Sequence, residues 1–395
     1  MAIIIVVLVL SSFLLIAQPA PVSAEWSTLE VGDDKPYETI QAAVDDAVSG
    51  DTILVYPGYY PESVTITKSN LTLIAQAEGV YVEPPEVAGF HITADRVTIR
   101  GFTIWYGILC APAIVFEGSF NTFAENTMVL SQESPCVGGI AFTCADYDGG
   151  SDYNTIENNI ITGDQALQIA SYAPDALNKG NVVRDNLIDG YDVALFINNG
   201  EGFSISGNEV YSDNGVCISI WADNTIPQGN HRIKNNTATG CGFLGVGSGI
   251  ELHALNGTKL THNKISQNVV SQSFFSPGIY LHTDDSGAVV SHNQIRDNTV
   301  YMNFHGVYLG PGADNNLILG NLVETNHGMG IVIESDNNKI VKNDALSNAT
   351  EGISVDGDNN LIVNNTALDN PVWDLADYGL DNKWLSNEYE TASWE

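Results

Sequence analysis

Basic residues are scarce in this chain. It holds 14 Lys and Arg against 48 Asp and Glu, a formal net charge of −34 over 395 residues. Such a surface repels nucleic-acid phosphates and anionic membranes, and both are excluded as partners. It also repels polyanionic sugars unless a cation bridges them. Neutral glycans, metal ions and other proteins remain, and acidity also serves solubility in a salty exterior. Long apolar runs are missing too, with one exception. Residues from Ile3 to Ile16 are nearly all apolar, followed by Pro19, Pro21 and a small-x-small pattern, Val22-Ser23-Ala24, before Glu25. This reads as a signal peptide over residues 1–24, although no Lys or Arg precedes Lys35. The run is short for a membrane span, and no other is long enough.

What the chain has in quantity is a repeat. Asn316-Leu-Ile-Leu-Gly-Asn321, Asn338-Lys-Ile-Val-Lys-Asn343 and Asn360-Leu-Ile-Val-Asn-Asn365 follow one another at a step of 22. Asn326, Asn348 and Asn370 keep the same step, as do Gly330-Ile331 and Gly352-Ile353. An x-Ile-x-x-Asn anchor recurs upstream at Asn159, Asn186, Asn208, Asn235, Asn263 and Asn293, with steps of 22 to 30. A step beyond 22 means a longer loop at one corner of a coil. Alternation in Gly352-Ile-Ser-Val-Asp356 turns Ile353 and Val355 inward and Ser354 and Asp356 outward. Asn and Gly suit the sharp turns between strands, and stacked amides can bond along the axis. The fold class is therefore all-β: a right-handed parallel β-helix of about 12 coils and roughly 55 Å, at ~4.8 Å per coil. Its asparagines are structural.

The ends depart from the repeat. Residues 25–66 read as an N-terminal cap with a short amphipathic helix bearing Ile40, Ala43, Val44, Ala47 and Val48, stopped by Gly50. Residues 67–370 form the β-helix. Residues 371–395, with Trp373, Tyr378 and Trp384, read as an irregular C-terminal cap. Five cysteines remain. Cys136 with Cys144 and Cys217 with Cys241 are the expected disulfides, each within one coil or between neighbours, and Cys110 is left over.

The opening Thr39-Ile-Gln-Ala-Ala-Val, Gly50-Asp-Thr-Ile-Leu-Val-Tyr-Pro-Gly58 and the Asn/Gly coils resemble the parallel β-helix repeats of the carbohydrate-binding and sugar-hydrolysis superfamily, which is pectin-lyase-like. The opening also resembles copper-periplasmic-protein-like β-helices. The closing Asp374-Leu-Ala-Asp-Tyr-Gly-Leu-Asp-Asn382-Lys-Trp384 resembles the end segment of such proteins from prokaryotic, archaeal among them, cell surfaces. The resemblance implies the fold and leaves the activity open, since lyases, hydrolases, epimerases, metal-handling and structural proteins share it.

Stacking brings a candidate face together. After the glycine column, the strands Gly249-Ile-Glu-Leu-His253, Gly278-Ile-Tyr-Leu-His282, Gly306-Val-Tyr-Leu-Gly310 and Gly330-Ile-Val-Ile-Glu334 align. One outward column holds Glu251, Tyr280 and Tyr308. The next holds His253, His282 and Glu334, with Trp221 one coil earlier. Aromatic rings, carboxylates and imidazoles at coil spacing suit a polysaccharide, and paired imidazoles suit a transition metal. If the protein is an enzyme, a hydrolase or lyase acting on glycans, Asp284, Asp285, His253 and His282 lie nearest the reaction. Short motifs of polygalacturonase type, Asp284-Asp285, His305-Gly306 and Arg232-Ile-Lys234, occur in the wrong order. Asp146, Asp148 and Asp152 have the alternating carboxylates a calcium ion would take. His262 over His292 reads as a corner ladder. Sequons stand at Asn70, Asn235, Asn256, Asn348 and Asn364. The expected function is polysaccharide binding without catalysis at the cell surface. A structural subunit that assembles with itself and a periplasmic copper-handling protein are the alternatives.

Overall fold

The computed structural model describes residues 26–85, 88–106, 113–130, 140–143, 151–171, 176–242, 247–284 and 287–394. The segment 1–24, the cysteines Cys110, Cys136 and Cys144, and Asp146, Asp148 and Asp285 lie outside the described residues. Each coil carries three short strands. Leu317–Leu319 runs to a corner at Gly320-Asn321, Leu322–Glu324 to a corner at Thr325-Asn326, and Ile331–Ile333 closes the turn. The inward side chains Ile318, Val323, Ile331 and Ile333 are fully buried. Residues before the ladder asparagines take the left-handed conformation, Gly320 at φ +66° and Thr325 at φ +53°. A single such residue reverses the chain without a long loop.

Fifteen strands, from Thr28–Val31 to Lys383–Leu385, stack in one parallel sheet, with Leu317, Lys339, Leu361 and Lys383 in register. A second ladder runs through Leu322, Asp344 and Thr366, and a third through Ile331, Ile353 and Leu375. The solenoid has about 13 turns. Those two ladders belong to one 24-stranded sheet, and five short strands, from Asn178–Lys179 to Val289–Ser291, add a small third sheet beside the central coils. No helix among the described residues is long and apolar enough to cross a membrane.

Buried asparagines hold the corners in pitch. In the longest column Asn126, Asn159, Asn186, Asn208, Asn236, Asn268, Asn298, Asn321, Asn343, Asn365 and Asn387 follow one another. Asn343 is typical: its backbone N–H and Nδ2 donate to the Asn365 Oδ1 at 2.9 and 3.0 Å, and Nδ2 also donates to the Ile318 carbonyl at 3.1 Å. The expected anchor at Asn235 is displaced by one residue. Asn235 is the exposed left-handed corner at φ +55°, and Asn236 is the ladder member. Asn263 and Asn293 belong to a different column, which continues through Asn316, Asn338 and Asn360. One sequon falls inside a ladder: Asn348 is fully buried, while Asn70, Asn235, Asn256 and Asn364 are exposed corners.

At the N-terminal end the helix spans Ile40–Asp46, capped by the Thr39 hydroxyl, and buries Ile40, Ala43 and Val44. The Glu62 carboxylate accepts the free N–H groups of Ile40 and Gln41 at 2.8 and 2.9 Å. The C-terminal end departs from the expected irregular plug over residues 371–395. Trp373–Asp377 and Lys383–Leu385 extend the ladders, and Asn382 and Asn387 prolong two asparagine columns by one more step. Trp384 takes the inward place of Ile362, and this hid the coil in the sequence. The cover proper is the short stretch after it, where Tyr389 and Trp394 pack near Trp384.

Candidate functional site

The outward columns form as the glycine alignment requires. Glu251 lies in register with Tyr280 and Tyr280 with Tyr308, while Trp221, His253 and His282 stack in the neighbouring column. The rings touch. His253 stacks on His282 at 4.0 Å between centroids, His282 on Tyr280 at 4.0 Å, and Tyr280 on Tyr308 at 5.0 Å, with interplanar angles of 21°, 8° and 26°. Trp221 meets His253 edge-on, and His305 meets Tyr308 edge-on. Stacked rings cover one another's faces. The row therefore offers stacked rings in place of open flat platforms, and both ring nitrogens of His253 are buried within it.

Glu251 lies beneath this row, almost wholly buried. Its Oε2 accepts from the Ser219 hydroxyl at 2.8 Å and the Trp221 indole N–H at 3.1 Å, and its Oε1 lies 3.0 Å from the His282 Nε2. Burial alone would push the Glu251 carboxyl up. The bond and charge of His282, with the Trp221 and Ser219 donors, outweigh burial and hold it below the usual carboxylate range. His253 is held down by burial and by the charge of His282, against the pull of Glu251 and Asp284. Burial, then the charges of Glu251, Glu334 and Asp284, push the Tyr280 phenol up to about 12. Burial and a hydrogen bond to Glu334 push Tyr308 up as well.

Asp284 stands at the mouth, its side chain 62% exposed, with Oδ2 3.1 Å from the His253 Nε2 and Oδ1 3.6 Å from the His282 Nδ1. The first contact has ion-pair distance, yet both His253 ring nitrogens are buried without a hydrogen-bond partner. The ring is poorly aligned to Asp284. Among the described residues, Glu251, His253 and His282 are the group whose donor atoms come close enough, within 4.8 Å of one another, to share one ion.

Other expected pieces scatter. Arg232 and Lys234 sit on the fifteen-stranded sheet, a different face from Asp284. Asp152 is half-buried, and its Oδ1 accepts the Lys179 backbone N–H at 2.7 Å. Cys217 and Cys241 form a disulfide, with Cα atoms 5.4 Å apart. His262 and His292 stack at 5.5 Å on a corner, each beside a neighbouring hydroxyl. Sequence reasoning missed two features. Ser219, the second donor to Glu251, shares its column and was legible there. The other is a shallow concavity of about 550 Å³ on the fifteen-stranded sheet, lined by Arg232, Lys234, Lys264 and Arg296 with His262 and His292 and by no carboxylate. In a chain of charge −34 this gathers four of the 14 Lys and Arg on three adjacent coils.

Several solved structures are similar. Two variant forms of the periplasmic alginate epimerase AlgG align at 15% identity. One has a TM-score of 0.56, covering 90% of this chain and 89% of that one; the other has 0.54, covering 86% and 77%. The A-module of the mannuronan C-5 epimerase AlgE6 from Azotobacter vinelandii aligns at 16% identity and TM-score 0.49, covering 89% and 91%. At these identities the likeness is one of fold. No curated protein matches the chain. The family described as the right handed beta helix region matches residues 88–295, 177–345 and 291–373. These matches span most of the chain, which belongs to the right-handed β-helix family.

Proposed function

We propose that this protein binds polysaccharide outside the cell, along the outward face running from Trp221 to Glu334. One observation carries the reading: four rings, His253, His282, Tyr280 and Tyr308, stack in contact across adjacent coils beside the exposed carboxylate of Asp284. Sugar hydroxyls both donate and accept, and this face offers phenolic donors beside carboxylate acceptors. With both phenols pushed up, Tyr280 and Tyr308 keep their protons at neutral pH and donate hydrogen bonds. That favours holding a chain over abstracting protons from it. The disulfide suits an extracellular setting.

The basic concavity favours a second reading, in which the glycan is acidic and lies across Arg232, Lys264 and Arg296. An array of neutral and acidic polysaccharides, read with and without calcium, separates the two. Under the first, Tyr280→Phe with Tyr308→Phe weakens binding at least tenfold, about 1.4 kcal/mol, in a protein that folds as before. Undiminished binding removes the face from consideration. Under the second, acidic glycans alone bind, salt weakens them, and Arg232→Ala with Lys264→Ala abolishes the signal. Release of shortened or unsaturated products, lost in Asp284→Ala, would make the protein an enzyme instead.

A further inference from the structure

The Glu251–His282 pair accounts for one histidine and leaves the other unexplained. His253 is 4% exposed and stacks on His282; its Nε2 has the exposed Asp284 at 3.1 Å without an aligned hydrogen bond, and its Nδ1 has no hydrogen-bond partner. A neutral imidazole carries one N–H and one lone pair. A buried ring nitrogen without a hydrogen-bond partner is costly, and a fold does not retain it at no gain. The ring's natural complement is an electrophile, and its neighbours supply the rest of a coordination set.

We infer that Glu251, His253 and His282 form a binding site for one divalent transition-metal ion of the zinc class, with Asp284 beside the two imidazoles. Two donors bound about 2.0–2.1 Å from a common ion stand roughly 3 Å apart when adjacent. The Glu251 Oε1 and His282 Nε2 are 3.0 Å apart, and the donors of all three residues fall within 4.8 Å of one another. Strand pairing fixes that spacing. Glu251 and His253 project from one strand two residues apart, and His282 sits directly against His253 in the next coil. Ser219 and Trp221 hold the second Glu251 oxygen, orienting the carboxylate as outer partners of metal ligands do. Two imidazoles select against calcium and magnesium, which take oxygen sets. Two histidines and a glutamate leave a fourth position open. The inference stands on donor geometry and does not require that a glycan binds.

The test uses the full chain dialysed against a chelator, with no glycan present. Calorimetric titration with Zn²⁺ is expected to show one site with micromolar or tighter Kd, and Ca²⁺ no comparable site. Co²⁺ in place of Zn²⁺ is expected to give visible absorption of a four-coordinate nitrogen–oxygen site. His253→Phe keeps the ring and its stacking while deleting both nitrogens; it and Glu251→Gln are expected to weaken Zn²⁺ at least tenfold. His91→Gln breaks another close His–Glu contact, to Glu117 at 3.0 Å, and is expected to leave the titration unchanged. Near-ultraviolet circular dichroism confirms that each variant folds. Absence of a Zn²⁺ site in the wild type, or a site that survives His253→Phe in a folded protein, overturns the inference. Loss of glycan binding in the tyrosine variants with Zn²⁺ binding intact bears on the glycan reading alone.

Discussion

From Asn316 to Asn387 the ladder asparagines repeat every 22 residues, whereas the strands that carry the candidate site, at Ile218, Ile250, Ile279 and Val307, follow one another at 32, 29 and 28. Both stretches keep the same spacing inside the ladder. Ile295 to Val300 is five residues, and so is Ile318 to Val323. The extra residues mostly leave the chain at the end of the site strands. Leu281 to Ile295 takes 14 residues, against 7 from Ile333 to Ile340. That is where Asp284 emerges beside His253. The outward columns change at the same boundary. Glu251, Tyr280 and Tyr308 give way to Val332, Ser354 and Ala376. A solenoid fixes its pitch through the buried ladder, so its corners can grow without cost to stacking, and polar chemistry collects where they have grown.

The sharpest way to break this comparison is to cut the ladder in the regular coils. Asn343→Ala takes from a buried column the acceptor of the Asn321 N–H and the side-chain donor to the Ile318 carbonyl, while the Asn321 Nδ2 keeps the Ile295 carbonyl and the Asn365 Oδ1 keeps the backbone N–H of residue 343. The expected loss is about 2–6 kcal/mol, since each of the two orphaned buried groups costs about 1–3 kcal/mol before relaxation. Denaturant midpoints read the loss, and hydrogen exchange locates it in the coils around Asn343. Polysaccharide binding at the central face is expected to persist at temperatures where those coils stay folded.

A second prediction uses the place where the central coils break the ladder themselves. His231 stands where an asparagine belongs. Its Nδ1 accepts the Phe203 backbone N–H at 3.3 Å, and its backbone N–H donates to the Asn263 Oδ1 at 2.9 Å. Burial pushes the imidazole down to about 4. The unfolded chain then binds a proton between about pH 6.5 and 4 that the fold refuses. Stability is complete above pH 6.5 and falls as pH drops through that window, by up to about 3 kcal/mol for a shift of this size. His231→Asn is expected to flatten most of that slope in urea midpoints. His253 and His305, also held low by burial, leave a smaller remainder of the same sign. A slope unchanged in the variant would mean that other groups carry the pH dependence.

These contrasts were unevenly visible in the sequence. The columns at Asn316, Asn338 and Asn360 were legible because a strict step of 22 admits one register. The site columns were legible because Gly249, Gly278, Gly306 and Gly330 mark the start of each strand despite the insertions. Asn235 was mistaken for Asn236 because a corner and a ladder position, adjacent in sequence, both favour asparagine. The stacking of Tyr280 on His282 was not legible, because side-chain torsions decide whether neighbouring rings lie face to face. The concavity at Arg232, Lys264 and Arg296 was hidden because its charges, 32 residues apart in each case, meet only once three coils are stacked.

The smallest expected effect tests where the two regions are alike. Asn235 in the central coils and Asn364 in the regular ones are exposed corner residues, both at φ +55°. Alanine in the left-handed region costs about 1 kcal/mol, because its Cβ crowds the following carbonyl and it lacks the local hydrogen bonding that lets asparagine settle there. Glycine has no Cβ and is expected to fall within about 0.5 kcal/mol of the wild type. Asn235→Ala and Asn364→Ala should therefore lose equal stability in denaturant melts, and the two glycine variants almost none. A larger loss at Asn235 would mean that the long insertions reach into the corner backbone itself, and that the buried ladder does not isolate the central coils from the loops they carry.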